Sequence, residues 1–297
     1  MKTSEQTVPE CWQTAAASTS PHLPPRESIN TRLRVQFIGL YQHTGGWWLP
    51  LLLLILWQLI ASFHWLPEAY LNNISSPWAV IQAGYTLSVS GELLHHLAVS
   101  AARALVGLLI GGALGLGLGL LTGTIPALRV LLDNTLQMLR NIPHLALIPL
   151  VIVWFGIDET AKISLVALGT FFPIYLNTYH GICNVDKSLL EMAKSYGVQG
   201  WPLFRQVILP GALPSILVGL RFSLGIMWLT LIVAETISAG SGIGYLAMHA
   251  REFFQVDIII FAILVYAFLG FLADFIARQL EQHWLRWHPA YQKRNVL

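Results

Sequence analysis

Two ionisable side chains of this sequence lie in or at the end of an apolar stretch, where a charge can act on a small ligand. Arg221 lies about eight residues into the apolar run 213–234, and an arginine within hydrocarbon costs about 2.5–3.5 kcal/mol, so it normally faces protein or water. It is a candidate to bind an anion; alternatively, it reaches the lipid headgroups or pairs with an acid such as Asp274. Glu235 follows fourteen residues later, about 21 Å away along a helix. It is a candidate for holding a gate or for capping the next loop.

The residue types that could bind a metal, catalyse a reaction or form disulfides do not occur in the patterns that these roles require. His144, His180 and His249 lack the spacing of a metal site, and no nucleophile, acid and base are grouped together. No G-x-x-x-x-G-K-[ST] sequence occurs, which excludes a nucleotide-binding loop of that type. Cys11 and Cys183 suggest no disulfide framework. We therefore expect no catalytic residue, no metal and no bound cofactor, and do not expect an enzyme.

The composition indicates an all-α membrane protein. Of 297 residues, 55% are hydrophobic and 11% are charged, which is far below the usual charged fraction of a soluble domain. The mean hydropathy is +0.60. The net charge of +2 is small and its basic residues are scattered, so nucleic acid is not an expected partner.

Six apolar segments predict a polytopic protein with six transmembrane helices. The third is interrupted by Pro143 and Pro149 and extends backward toward Met138, and prolines of this kind kink a span. The segments lie at about 47–63, 97–121, 146–155, 163–179, 213–234 and 258–276.

The polar segments define the domain organisation. Residues 1–45 are predicted to be a flexible tail, 46–282 the transmembrane domain, and 283–297 a short basic tail. The connection 66–96 is polar, and the first apolar run is expected to be retained rather than cleaved as a signal peptide. Lys and Arg concentrate in the tails and in the loops at 123–140 and 187–210, which predicts that both termini are cytoplasmic.

Glycine recurs every four residues in the second span. Glycines at this spacing remove the side chains from one side of a helix, so that another helix can approach closely. We expect these residues to pack against a neighbouring span; a hinge is the alternative. They are Gly107, Gly111, Gly115, Gly119 and Gly123.

The loop 187–210 is too charged and too broken by glycine and proline to lie in the membrane. Ser188 and Glu191 have the spacing of a capping box, and Gly197 suits a left-handed helix stop. Pro202 suits the first turn of a second helix, which Pro210 is expected to end. That second helix has an apolar stripe of Leu203, Phe204, Val207 and Ile208. The loop predicts two short helices in water; it could be a plain surface hairpin or could dock in a groove.

The loop resembles the EAA motif of ABC importer permeases. The matching residues are Glu191, Met192, Ala193, Gly197, Leu209 and Pro210, although Met192 stands where the family has alanine and Val207 where isoleucine is usual. The resemblance implies the type I importer transmembrane fold (MetI-like). It also implies that the loop couples to a separate cytoplasmic ATPase by a helix-in-groove contact.

Longer stretches resemble the aliphatic sulfonate branch of these permeases. They include QMLRNIPHLALIPLVIVWFGIDETAK, FFPIYLNTYHGI, LIVAETISAGSGIGYLAMHARE and WLRWHPAY. The resemblance implies a permease homodimer in the bacterial inner membrane, an ATPase dimer that holds ATP and Mg, and a periplasmic sulfonate-binding protein. Taurine, nitrate or a related small anion is the alternative substrate. An ATP-independent channel or secondary transporter would predict buried acidic pairs or an inverted repeat, and neither is evident in the sequence.

Overall fold

A computed structural model describes residues 48–62 and 75–287. Over these residues the chain forms helices and no β-strand, as predicted. The α-helices, in chain order, are α1 (Trp48–Ser62), α2 (Pro77–Val89), α3 (Glu92–Thr124), α4 (Pro126–Arg140), α5 (Ile148–Phe155), α6 (Glu159–Cys183), α7 (Lys187–Ser195), α8 (Leu209–Ser238), α9 (Ile243–Glu252) and α10 (Val256–Trp284). The chain divides between Leu56 and Trp57 into two compact units, and the second holds every helix from α2 to α10.

The central helix of the second unit is α6, and α3 packs along it in parallel. Gly107 of α3 lies beside Val166 of α6, and Gly123, farther along α3, lies beside Ile182, farther along α6. Both helices therefore run in the same direction. This arrangement requires the chain between them to return to its starting end, which α4 and α5 accomplish.

The glycines of α3 bring its backbone against that of α6. A Cβ atom on Gly115 would lie 2.6 Å from the carbonyl oxygen of Phe171, and one on Gly119 would lie 2.9 Å from that of Tyr175. Real Cβ atoms do not approach a backbone oxygen so closely. The five glycines therefore lie at a close helix contact, which is the small-residue packing that membrane helices use.

On another side, α8 packs antiparallel to α6. Ser223 donates from Oγ to the carbonyl oxygen of Thr170 at 3.0 Å, and Ser215 donates to that of Asn177 at 2.7 Å. These interhelical hydrogen bonds fix α8 to α6. A buried apolar cluster then joins the three helices; its members are Ala104, Val166, Met227 and Leu231.

Within the described residues, three helices are long and apolar enough to cross a membrane: α3, the continuous helical stretch 201–237 that covers nearly all of α8, and α10. The predicted third span is a broken pair, Asn134–Arg140 and His144–Phe155, bent by 83°; if this pair counts as one span, the total is four. Thus the prediction of six spans is not confirmed, while the prediction of a kinked third segment is. α6, which contains the predicted fourth segment 163–179, is long enough at 25 residues but does not meet the same hydropathy criterion. α1 has only 15 residues within the described part of the chain.

Two predicted loops contain helices. The connection 66–96 includes α2, which begins with Ser76 as N-cap and Pro77 in its first turn, a sequence signal for a helix start. The loop at 123–140 contains the amphipathic helix α4. The predicted tail 1–45 lies outside the described residues, as do residues 288–297. α10 continues to Trp284, two residues into the predicted C-terminal tail.

Candidate functional site

The loop 187–210 begins with a helix, α7, that is capped two residues earlier than predicted. Asp186 is the N-cap residue, and its carboxylate accepts a hydrogen bond from the Ser188 N–H at 2.9 Å. The predicted capping box of Ser188 and Glu191 is therefore wrong. Asp186 lies immediately before the first helical residue, so its carboxylate reaches the free N–H groups first. Glu191 is instead exposed on α7.

Gly197 ends α7 in the left-handed conformation, with φ of +77°. The Gly197 N–H donates to the Lys194 carbonyl oxygen at 2.9 Å, and the Val198 N–H donates to that of Ala193 at 3.0 Å. This pair of bonds is a Schellman motif, in which a side chain at the left-handed position is unfavourable. Gly200, with φ of +62° and ψ of −134°, is a second residue with positive φ and lies immediately before the next helical turn.

The second half of the loop differs from the prediction, because Pro210 does not end a helix. The chain passes from one helical turn (Trp201–Leu203) through a π-helical segment (Phe204–Ile208) directly into α8. Pro210 lies in the first turn of α8, where its missing N–H is tolerated. The wider π-helical turn before it marks where the regular hydrogen-bond ladder is interrupted. The loop is therefore continuous with the long helix.

The exposed apolar surface of the loop lies mainly on α7 and at Trp201. Met192 is 53% exposed, Tyr196 82% and Trp201 69%, and Leu189 is also exposed. By contrast, Ala193 is buried. The predicted stripe is only partly accessible; Leu203, Phe204, Val207 and Ile208, like Leu209 and Pro210, are of intermediate burial. A docking partner would thus contact the α7 side first.

At the opposite end of α6 and α8, Glu235 lies in a buried polar cluster. Its side chain is fully buried and accepts hydrogen bonds from Ser100 Oγ at 2.8 and 2.9 Å, Arg103 Nη1 at 2.8 Å, Gly244 N at 2.9 Å and Tyr266 Oη at 2.8 Å. The predicted capping role is correct only in part, because one of these donors, the Gly244 N–H, is a backbone group in the first turn of α9, which follows the loop after α8. The other three come from the spans α3 and α10.

The glycine-rich connection after α8 folds around this carboxylate. Gly242, with φ of +114°, and Gly244 lie so close to Glu235 that neither could carry a side chain. The Gly242 N–H donates to Nδ1 of His96 at 3.0 Å. The glycines of the connection therefore have a structural reason: they let the backbone enclose Glu235.

The cluster also contains Arg103, which lies within the second predicted span, 97–121. Its guanidinium is 3% exposed and donates from Nη1 to Glu235, from Nε and Nη2 to the two oxygens of Glu159, and to the carbonyl oxygen of Ser241. The Nη2–Oε1 distance to Glu159 is 2.5 Å. An intramembrane arginine is itself the signal that could have indicated this site.

A second buried cation completes the cluster. Lys162 is 3% exposed, and its Nζ lies 3.3 Å from Glu159 Oε1 and 3.4 Å from the carbonyl oxygen of Ile157. Glu159 itself is 57% exposed. The polar cluster, as named from here on, comprises Ser100, Arg103, Glu159, Lys162, Glu235 and Tyr266.

Arg221 is not in the polar cluster. Its Nε lies 2.6 Å from Asp274 Oδ1, and Asp274 also pairs with Arg278 at 2.6 Å. The alternative stated from the sequence, a pair with Asp274, is thus formed. Both side chains remain partly exposed, and contact between Arg221 and a ligand stays a prediction. Within the described residues, no three His, Cys, Asp or Glu side chains are grouped as a metal site would require.

Known proteins resemble most of this chain. The family model for the inner membrane component of binding-protein-dependent transport systems matches residues 111–286. The chain is 64% identical to SsuC of Escherichia coli (strain K12), named as an aliphatic sulfonates transport permease, over 86% of this chain and 95% of that protein. It is 43% identical to the Bacillus subtilis (strain 168) protein of the same name, over 85% and 90%. It is 34% identical to the taurine transport system permease protein TauC of E. coli (strain K12), over 81% and 88%.

Solved structures show the same fold at low sequence identity. A crystal structure of an amino acid ABC transporter with histidines matches with a TM-score of 0.57 at 18% identity, over 67% of this chain and 97% of that one. The MetNI methionine ABC transporter in an inward-facing conformation matches with a TM-score of 0.51 at 19% identity, over 65% and 97%. The all-helical, MetI-like permease fold is thereby shown. By family model and by identity, the chain belongs to the inner membrane components of binding-protein-dependent transport systems, the multi-pass permeases of ABC transporters.

Proposed function

We propose that this chain is the permease subunit of an ATP-driven importer that moves aliphatic sulfonates across the bacterial inner membrane. The observation that carries the proposal is the 64% identity to SsuC of E. coli over 95% of that protein. The identity to TauC is 34%, so taurine is the weaker assignment. Taurine, nitrate or a related small anion remains the alternative substrate of the same mechanism.

The loop 187–210 is proposed to couple this chain to a separate ATPase, which binds ATP and Mg. The exposed Met192, Tyr196 and Trp201 offer an apolar surface that a groove could receive. The chain itself is proposed to bind no cofactor. Two copies are proposed to form a homodimer that carries two ATPases, and a periplasmic binding protein is proposed to deliver the sulfonate.

The proposed orientation puts both termini and the coupling loop in the cytoplasm. Its support is the concentration of Lys and Arg in the loop and in the tails. The polar cluster then lies at the periplasmic end of α6 and α8, where Glu235 holds the glycine-rich connection. Movement of α6 and α8 as a rigid body would exchange inward-facing and outward-facing states.

Uptake into proteoliposomes tests this function. The chain is reconstituted with its ATPase and binding protein, and ATP-dependent uptake of ethanesulfonate, taurine, nitrate and bicarbonate is measured in parallel. We expect ethanesulfonate to lead. If taurine or nitrate leads, the importer mechanism stands and the substrate is wrong, whereas uptake that persists without ATP or the ATPase favours a channel or secondary transporter.

A further inference from the structure

We propose that Arg103 and Lys162 form a binding site for the sulfonate group of the substrate, which Glu159 occupies when no substrate is present. The inference rests on the proposed function and deepens it by naming a site on the permease itself. It starts from an asymmetry within the polar cluster. Its two cations and Glu235 are buried, whereas Glu159, which bridges both cations, is 57% exposed.

This asymmetry decides which group can leave the cluster. Glu235 is fully buried and held by donors from three helices, α3, α9 and α10. Among the described residues, the side chains that donate hydrogen bonds to Glu159 are those of Arg103 and Lys162, and solvent already reaches Glu159. A ligand from outside can therefore replace the Glu159 carboxylate without disturbing Glu235.

The donors that face Glu159 suit a group with three oxygens. Arg103 presents Nε and Nη2 as a fork, and Lys162 presents Nζ. A carboxylate has two oxygens, so Arg103 Nη2 and Lys162 Nζ share Oε1, at 2.5 and 3.3 Å. A sulfonate has three oxygens and can offer one to each donor, so Arg103 Nη2 and Lys162 Nζ would no longer share one acceptor oxygen.

The charge balance favours a monoanion. Arg103, Lys162 and Glu235 together carry one positive charge, which Glu159 neutralises. A buried net charge is costly, so Glu159 can leave at low cost only when another anion takes its place. An alkylsulfonate carries a single negative charge and restores neutrality. Sulfate carries two and would leave the site negative.

The position of the site fits its proposed use. Glu159 and Lys162 lie in the first turns of α6, and α7 of the coupling loop follows the opposite end of that helix. Under the proposed orientation the site therefore faces the periplasm, the side from which a substrate arrives. Phe155 and Ile157, which precede Glu159 in the chain, expose apolar side chains that could contact an alkyl group.

Equilibrium binding of radiolabelled ethanesulfonate to the permease–ATPase complex in nanodiscs, without binding protein, tests the site. If Glu159 occupies the site more than about nine-tenths of the time, it weakens apparent affinity about tenfold. Glu159→Gln is therefore expected to bind ethanesulfonate at least about tenfold more tightly than the wild type. Adding Lys162→Met to Glu159→Gln is expected to remove most of this gain. Propionate, with two oxygens, and sulfate, with two charges, should compete weakly.

Asp158→Asn is the matched control, because it makes the same charge change one residue away and the Asp158 side chain makes no capping bond. Equal affinity of Glu159→Gln and wild type, or an equal gain in Asp158→Asn, would overturn the proposal. Sulfate that competes as well as ethanesulfonate would overturn the assignment to alkylsulfonates. A second measurement needs no Glu159 variant: ethanesulfonate should raise the unfolding temperature of the wild-type complex more than propionate does, and Lys162→Met should abolish the difference.

The two proposals can fail separately. If the complex imports ethanesulfonate but Glu159→Gln binds it no better, this site is wrong and the function stands. If the complex imports another anion only, the proposed substrate is wrong and the importer mechanism stands. The site is then judged on ethanesulfonate binding alone, and tight binding to Glu159→Gln but not to Asp158→Asn supports it.

Discussion

Glu235→Gln tests whether the polar cluster requires a carboxylate at this position. The amide has nearly the same shape, but it replaces one acceptor oxygen with an N–H donor. In the cluster, the groups that bond to Glu235 are all donors: Ser100 Oγ, Arg103 Nη1, the Gly244 N–H and Tyr266 Oη. The two hydroxyls can rotate and accept instead, but the Arg103 and Gly244 N–H groups cannot. Whichever way the amide is turned, one fixed donor faces another.

The loss of stability expected for Glu235→Gln follows from these contacts. A buried donor without an acceptor costs about 1–3 kcal/mol, and removal of one partner of a buried ion pair costs about 3–5 kcal/mol when no other partner remains. Arg103 keeps its ion pair with Glu159 in this variant, so the cost of breaking the ion pair with Glu235 is smaller than that range. We therefore expect Glu235→Gln to lower the free energy of unfolding by about 3 kcal/mol, or about two powers of ten in the folding equilibrium.

Thermal unfolding of the detergent-solubilised complex measures this effect. A change of 3 kcal/mol corresponds to a fall in Tm of about 6–12 °C for a chain of this order of length. Tyr266→Phe is the control, because it removes one donor and leaves the carboxylate, and about 1 kcal/mol is expected. If the two variants unfold within about 2 °C of each other, the argument that the site needs an acceptor-only group is refuted.

Four further substitutions, one of them with a control variant, test the helix contact, the loop and the spans. Gly115→Ala should lower Tm because the new Cβ would meet the α6 backbone. Gly117 has open space around it, so Gly117→Ala should leave Tm unchanged or raise it. Equal effects of the two substitutions on Tm would contradict the close contact. Gly197→Val should reduce ATP-dependent uptake about fivefold or more while the ATPase still co-purifies, because its left-handed turn opposes a side chain by about 1 kcal/mol; normal uptake would count against the coupling role. Met192→Glu should weaken ATPase co-purification, and undiminished binding would remove this exposed residue from the docking surface. Arg221→Met should lower uptake at low substrate concentration, and normal uptake would end its proposed contact with substrate.

The sequence was informative where a local pattern has one physical cause. Glycine every fourth residue indicates a close helix contact, and the structure places Gly115 against the backbone of α6. The left-handed turn at Gly197 was predictable because only a residue without a side chain adopts it freely. Short-range signals of this kind do not depend on the rest of the fold.

Long-range contacts were harder to predict. Arg103 bonds to Glu159, 56 residues away, and to Glu235, 132 residues away, and no local pattern joins these positions. Hydropathy located α6 but not its ends, because the predicted segment 163–179 lies inside a helix that runs from Glu159 to Cys183. The capping box at Ser188 failed because a better cap, Asp186, lies two residues earlier.

The hairpin formed by α6, the loop 187–210 and α8 has a mechanical consequence. Its closed end is the loop, and its two free ends carry Glu159 and Glu235. Arg103 binds both carboxylates, so it ties the two free ends together. α6 has 25 residues, which gives a rod of about 37 Å. A displacement of the loop is therefore transmitted through α6 and α8 to the Arg103 guanidinium. That group must either move together with Glu159 and Glu235 or lose its hydrogen bonds to one of them.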